Sequence, residues 1–206
     1  MYLFTRRARI ASGGGAVLAQ AVAMTEFVNN NSGLDVTLWT SALGPEPGTI
    51  VWSSMIEKRS ALIEANEKLL PMEEYWAIAD GLGQHLTPMI DSIRSPLHMT
   101  GELATDHDYV TVMMAQVTGS LADAATWSIE IADLATEITG SPIVVSADTV
   151  GPLGQISWMG TAPDIDTVDD QANAMWADGR YMEKLTSAAG LFQSGVGGQS
   201  TFRRVG

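Results

Sequence analysis

The order of apolar, glycine and turn residues predicts an α+β protein built from two ferredoxin-like βαββαβ repeats, residues 1–106 and 107–206. Three observations predict it. The stretch from Tyr2 to Pro45 aligns without a gap onto the chain 107 positions later, pairing Tyr2 with Tyr109, Ala8 with Ala115, Phe27 with Leu134, Gly33 with Gly140 and Gly44-Pro45 with Gly151-Pro152. After one deletion the offset becomes 106, and Gly48, Ile50, Trp52 and Tyr75 fall on Gly154, Ile156, Trp158 and Tyr181. Each copy then gives the same succession of strand, helix, hairpin, helix and strand signals.

The first element of each copy is a β-rich run, Tyr2–Ile10 and Tyr109–Val117. Ser12 is the helix opener of the first copy. In the second, Ser120 with Asp123 three residues on forms a capping-box arrangement, in which a hydroxyl and a carboxylate satisfy free backbone donors. Apolar residues at helical spacing follow, Val17, Ala21, Met24 and Val28 in one copy and Ala124, Ile131, Leu134 and Ile138 in the other. Gly33 and Gly140 end these helices, because glycine adopts the left-handed cap conformation without steric cost. Asp35–Ala42 with Thr49–Met55, and Pro142–Val150 with Gln155–Met159, read as hairpins around Gly-Pro turns. The second helical region spans Glu57–Leu86 in copy one, where Pro71 breaks it, and Thr167–Phe192 in copy two, where Gly179 loosens it. The last strands fall at Ile90–Leu97 and Ser200–Val205.

Composition narrows the function classes. Apolar residues make up 46% and charged residues 17% of the chain, as in ordinary globular domains. A net charge of −13 repels phosphate backbones, so nucleic acid is not an expected partner. No apolar run reaches the ~18–20 residues of a membrane span. The absence of cysteine excludes disulfides, thiolate metal sites and cysteine nucleophiles. The opening stretch MYLFTRRARIASGGG puts its apolar residues ahead of its arginines, unlike a secretory signal, and a soluble, cytoplasmic protein is expected. Arg6, Arg7, Arg9, Arg203 and Arg204 flank an acidic middle. That pattern suits self-association of a basic end with an acidic body, and it also suits solvated strand ends.

The segment IVWSSMIEKR from Ile50 to Arg59, followed by Ala61, Leu62, Ala65 and Tyr75, resembles the third strand and second helix of NIPSNAP-like proteins. Those belong to the dimeric α+β-barrel superfamily, together with antibiotic-biosynthesis monooxygenases, stress-responsive barrel proteins, chlorite dismutases and dye-decolorising peroxidases. The resemblance implies that the antiparallel sheets of the two repeats face each other as an intrachain pseudo-dimeric α+β barrel. Copy two keeps Trp158 but lacks the Glu57-x-Arg59 pattern. Two haem families of this superfamily take an axial histidine, generally from the C-terminal unit. Residues 108–206 contain no histidine, so no cofactor is expected.

Candidate site residues are Arg7 and Arg9, which strand alternation puts on one sheet face with Arg6 on the other, and the equivalent tryptophans Trp52 and Trp158. The arginine pair suits a carboxylate ligand between the sheets, or the guarding of an edge strand. The tryptophans suit either a pocket lining or the core. Glu102, Asp106, His107 and Asp108 gather metal-donor atoms in a polar linker, and Asp164, Asp166, Asp169 and Asp170 lack the spacing of a calcium loop and suit the start of a helix capped by Thr167. No metal site is expected. Ser12-Gly13-Gly14-Gly15 reads as a flexible turn without the lysine of a phosphate-binding loop. No catalytic set of acid, base and nucleophile is recognisable.

The expected function is therefore that of a self-associating barrel protein that binds a small apolar or weakly acidic molecule. The alternatives are a cofactor-independent monooxygenase-like enzyme and a structural subunit of a larger homo-oligomer. Since Arg6, Arg7, Arg9 and all three histidines belong to copy one or to the linker after it, the sequence points to the first copy as the bearer of any specific task.

Overall fold

The computed structural model describes residues 1–205, with the backbone alone for residues 194–197. The element order is β1 (Tyr2–Arg9), α1 (Gly14–Ser32), β2 (Thr37–Leu43), β3 (Thr49–Ile56), α2 (Ser60–Leu69), α3 (Glu73–Gly83) and β4 (Ile90–Met99). The same succession follows as β5 (Tyr109–Val117), α4 (Leu121–Thr139), β6 (Ile143–Val150), β7 (Gln155–Ala162), α5 (Ile165–Ala177), α6 (Gly179–Thr186) and β8 (Phe192–Val205). The α+β class and the two ferredoxin-like repeats hold, each with its second helix split in two. Within each repeat the strands pair in the same antiparallel order, β4-β1-β3-β2 in the first and β8-β5-β7-β6 in the second.

The chain packs as two compact units, one of Met1–Ser41, Glu46–Arg94 and the end from Arg204, the other of Ala42–Pro45 and Ser95–Arg203. In the first, β1 lies between β3 and β4, with Arg6 opposite both Trp52 and Asp91. β1 is thus an interior strand, and the edge-guarding role considered for its arginines does not apply. Ala8, Val17, Ala21, Leu38, Ile50, Trp52 and Leu82 form the core between this sheet and its helices. In the second unit β5 lies between β7 and β8, with Met113 opposite both Trp158 and Gln199. Its core gathers Ala124, Trp127, Ile131, Ala132, Ala135, Val145, Ile156, Trp158 and Tyr181. The register places Trp52 and Trp158 at equivalent positions, as the repeat alignment requires.

Local signals explain most element ends. Gly33 and Gly140 cap α1 and α4 at φ 86° and 71°, where a side chain would strain the backbone. The break between α2 and α3 falls at Leu70–Met72 around Pro71, and that between α5 and α6 falls at Asp178, beside Gly179. Ser120 caps α4, its hydroxyl accepting from the Asp123 N–H at 3.3 Å. Ser12 does not cap α1. Gly13 holds that position, and the Ser12 hydroxyl instead bonds His85 Nδ1 at 2.9 Å. The cap of α5 is Asp164, which accepts from the Thr167 N–H at 2.7 Å, rather than Thr167 itself. The helical region expected to run to Phe192 ends at Thr186, since Gly190 adopts φ 83° and turns the chain into β8. No helix among the described residues is long and apolar enough to cross a membrane.

Trp52 and Trp158, 6% and 9% exposed, are each expected to cost about 3–5 kcal/mol when replaced by alanine, as large aromatic truncations do. Urea unfolding midpoints measure this directly, and near-neutral changes would contradict the packing described. An added Cβ at Gly140 meets no atom within 4 Å, so Gly140→Ala tests the backbone alone. We expect a loss of about 1–2 kcal/mol, the cost of a left-handed residue with a side chain.

Candidate functional site

The second unit contains a cavity of about 240 Å³ between its sheet and its helices. The floor is strand: Thr111, Met113 and Ala115 on β5, Trp158 to Gly160 on β7, and Phe192 with Gln199 on β8. Period-two alternation sends every second β5 side chain to this face. The roof is helix: Trp127, Ile131, Ala132, Ala135 and Thr139 recur at helical spacing along α4, while Gln171 and Met175 come from α5 and Tyr181 and Leu185 from α6. The cavity lies in the second repeat, whereas the asymmetry of the sequence pointed to the first.

One end is aromatic. Trp127, Trp158 and Phe192 meet edge to face, with centroids 6.1, 5.4 and 5.7 Å apart. Phe192 reaches this place because the β5–β8 register slips between Ala115 and Val117, so that Phe192 pairs with Val117. Both indole donors are satisfied by the protein. Trp158 Nε1 donates to the Ser128 carbonyl at 3.1 Å, and Trp127 Nε1 to the Lys184 carbonyl at 3.1 Å and Ser187 Oγ at 3.0 Å. The second of these ties α6 to α4. Arg180 to Glu137 at 2.8 Å and the Lys184–Glu130 ion pair add to the same seam.

The polar groups of the cavity are few. Gln171 Nε2 donates to Ser141 Oγ at 2.8 Å, and Thr139 Oγ1 donates to the Ala135 carbonyl at 2.8 Å, so both have protein partners. Tyr181 differs. The residue as a whole is 7% exposed, while its hydroxyl, which has no hydrogen-bond partner among the described residues, is not enclosed. Burial alone pushes its pKa up, so the hydroxyl remains protonated at neutral pH and offers a donor. Gln199 lines the cavity and is exposed, which places it at the mouth. Among the described residues, no charged side chain and no histidine lines this space.

Of the four residues singled out from sequence, Trp158 lines the cavity and the other three stand elsewhere. Trp52 is a core residue of the first unit, its Nε1 donating to Thr25 Oγ1 at 3.0 Å. Arg7 Nη1 donates to Glu46 Oε2 at 2.9 Å, and Arg9 is exposed. Arg6, on the opposite face of β1, makes two bonds to the Asp91 carboxylate, each 2.8 Å long. Those bonds raise the Arg6 pKa against the opposing effect of burial, and nearby Tyr75 adds to the rise. Each histidine has a polar neighbour: His85 with Ser12, His98 with Asp133 at 2.7 Å, and His107 with Thr161 at 3.1 Å. Among the described residues, no three carboxylates or histidines are grouped so as to hold a metal.

Sequence reasoning missed Tyr181, Met113, Gln171, Phe192 and Gln199 as a group. The repeat alignment already paired Tyr75 with Tyr181 and Arg6 with Met113. The loss of charge at one site and not its twin was the available signal.

No protein-family profile matches the chain, and no curated protein matches it. Solved structures do match in fold. An anthrone oxidase-like protein superposes with a TM-score of 0.72 at 11% identity, covering 100% of this chain and 92% of that one. A candidate monooxygenase from Fusobacterium nucleatum subsp. nucleatum gives 0.69 at 8% identity, over 100% and 93%. One from Lactobacillus acidophilus gives 0.60 at 10% identity, over 99% and 94%. A NIPSNAP family protein from Agrobacterium tumefaciens covers 51% of this chain, with a TM-score of 0.41. The full-length matches, all at low identity, show that the chain has the fold of the dimeric α+β-barrel proteins.

Proposed function

We propose that this chain binds a small, neutral, aromatic molecule in the cavity of its second repeat. The observation that carries the reading is the cavity's lining, an aromatic wall and largely apolar sides that include the Tyr181 phenol, a donor with no protein partner among the described residues. A ligand carbonyl or hydroxyl that accepts from this phenol gains the net worth of one hydrogen bond, about 0.5–1.5 kcal/mol. The lining selects against charge, because an ion placed there would lose its hydration and gain no counter-ion. The weakly acidic ligand expected from the arginines is thereby narrowed to an uncharged one, since Arg7 and Arg9 do not reach the site.

Cofactor-independent oxygenation of such a ligand is the second reading, favoured by the fold shared with the anthrone oxidase-like protein. Tyr181 is then the group beside the reacting ring, able to donate a hydrogen bond to oxygen developing negative charge. Oxygen uptake with anthrone as substrate separates an enzyme from a binding protein.

Self-association belongs to the same proposal and rests on apolar surface rather than on charge. Leu153 and Trp176 are 90% and 61% exposed, whereas Arg6 and Arg7 are already paired within their own unit. Light scattering is expected to give a mass above that of the monomer at low and high salt alike. A monomer throughout the salt series would remove this part.

Titration with 2-acetylnaphthalene, a neutral aromatic ketone, is expected to quench tryptophan fluorescence. Tyr181→Phe is expected to weaken binding about five- to tenfold, the worth of one hydrogen bond, without lowering the melting temperature. Affinity is expected to stay level from about pH 6 to 9, where an upshifted phenol keeps its proton. Absence of binding, or equal binding by the phenylalanine variant, would overturn the proposal.

A further inference from the structure

Duplication supplies two copies of one site, and the copies are not filled alike. In the second repeat Met113 faces the cavity, flanked across the strands by Trp158 and Gln199, with Tyr181 on the covering helix. In the first repeat the same lattice holds Arg6, flanked by Trp52 and Asp91, with Tyr75 close by. The backbone arrangement is shared, and the pair at its centre is exchanged: methionine and glutamine in one, arginine and aspartate in the other.

Arg6 Nε and Nη2 each reach one oxygen of Asp91 at 2.8 Å, a two-pronged contact that fixes both side chains. The guanidinium carbon lies 5.9 Å from the Phe4 ring centroid, so the arginine spreads over the residue at the position of Thr111. An aromatic guest would have to part the ions or displace the water that still reaches them, since the two side chains are 36% and 43% exposed, and either step removes hydration from charge. A carboxylate guest fares no better, since Asp91 already fills the guanidinium fork. Methionine, flexible and uncharged, imposes neither cost.

We infer that only one of the two duplicated sites takes ligand, because the Arg6–Asp91 ion pair closes the first-repeat counterpart of the cavity that Met113 and Gln199 leave open in the second. The inference rests on the binding reading proposed above, and it assigns to these four residues the choice of which repeat binds.

Exchange of the pairs tests it in the whole chain, by calorimetric titration with 2-acetylnaphthalene and a thermal melt of each protein. The wild type is expected to bind one molecule per chain. R6M/D91Q, which copies the second repeat into the first, is expected to bind two. M113R/Q199D, which copies the first into the second, is expected to lose binding while still melting cooperatively. A wild type that binds two, an R6M/D91Q variant that still binds one, or an M113R/Q199D variant that still binds overturns the inference and leaves the proposed function standing. A wild type that binds none overturns the proposed function, and this inference with it. Should R6M/D91Q fail to fold, M113R/Q199D decides alone.

Discussion

A buried indole carries a donor that has to find an acceptor, and in each repeat that acceptor lies on the helix packed over the first strand. Trp52 donates to the Thr25 hydroxyl of α1, and that hydroxyl in turn donates to the Ala21 carbonyl at 2.8 Å. Trp158 donates straight to the Ser128 carbonyl of α4, while the Ser128 hydroxyl is occupied with the Ala124 carbonyl at 2.6 Å. The two repeats thus satisfy one obligation by different atoms. Either way the contact sets the height and rotation of the long helix over its sheet. The remaining core side chains pack to that spacing, because interiors tolerate neither gap nor overlap.

In the second unit the same tryptophan serves a further purpose. Its ring meets Trp127 and Phe192 edge to face, and these rings wall one end of the cavity instead of filling it. Space persists because the wall is stiff: the indoles are hydrogen-bonded, and α6 is held to α4 by Arg180, Lys184 and the Trp127 donor. A looser arrangement of aliphatic side chains would relax into a void of this size.

The scaffold was legible in the sequence wherever one residue type meets one backbone requirement. Gly33 and Gly140, Pro71, and the Trp52–Trp158 pair each stand where the pattern put them. The misreadings came where two residues competed for one task, as with Ser12 beside Gly13 or Thr167 beside Asp164, since backbone angles and not residue type decide the cap. The cavity was not legible at all. It depends on what several distant side chains leave unfilled, and two of them, Phe192 and Gln199, lie on a strand whose beginning read as helix. Trp158 was found because it repeats, and Tyr181 was noticed only as a landmark of the alignment. The arginines drew attention by their charge, which ion pairs to Asp91 and Glu46 take up for two of them.

The Arg6–Asp91 pair has a consequence for how such a chain can change. In a homodimer one gene specifies both halves, so every substitution is made twice and symmetry forbids a division of labour. Once the halves are encoded in series, a mutation falls on one alone. One repeat can then trade an open space for a locked ion pair, while its sibling remains free to drift toward new guests.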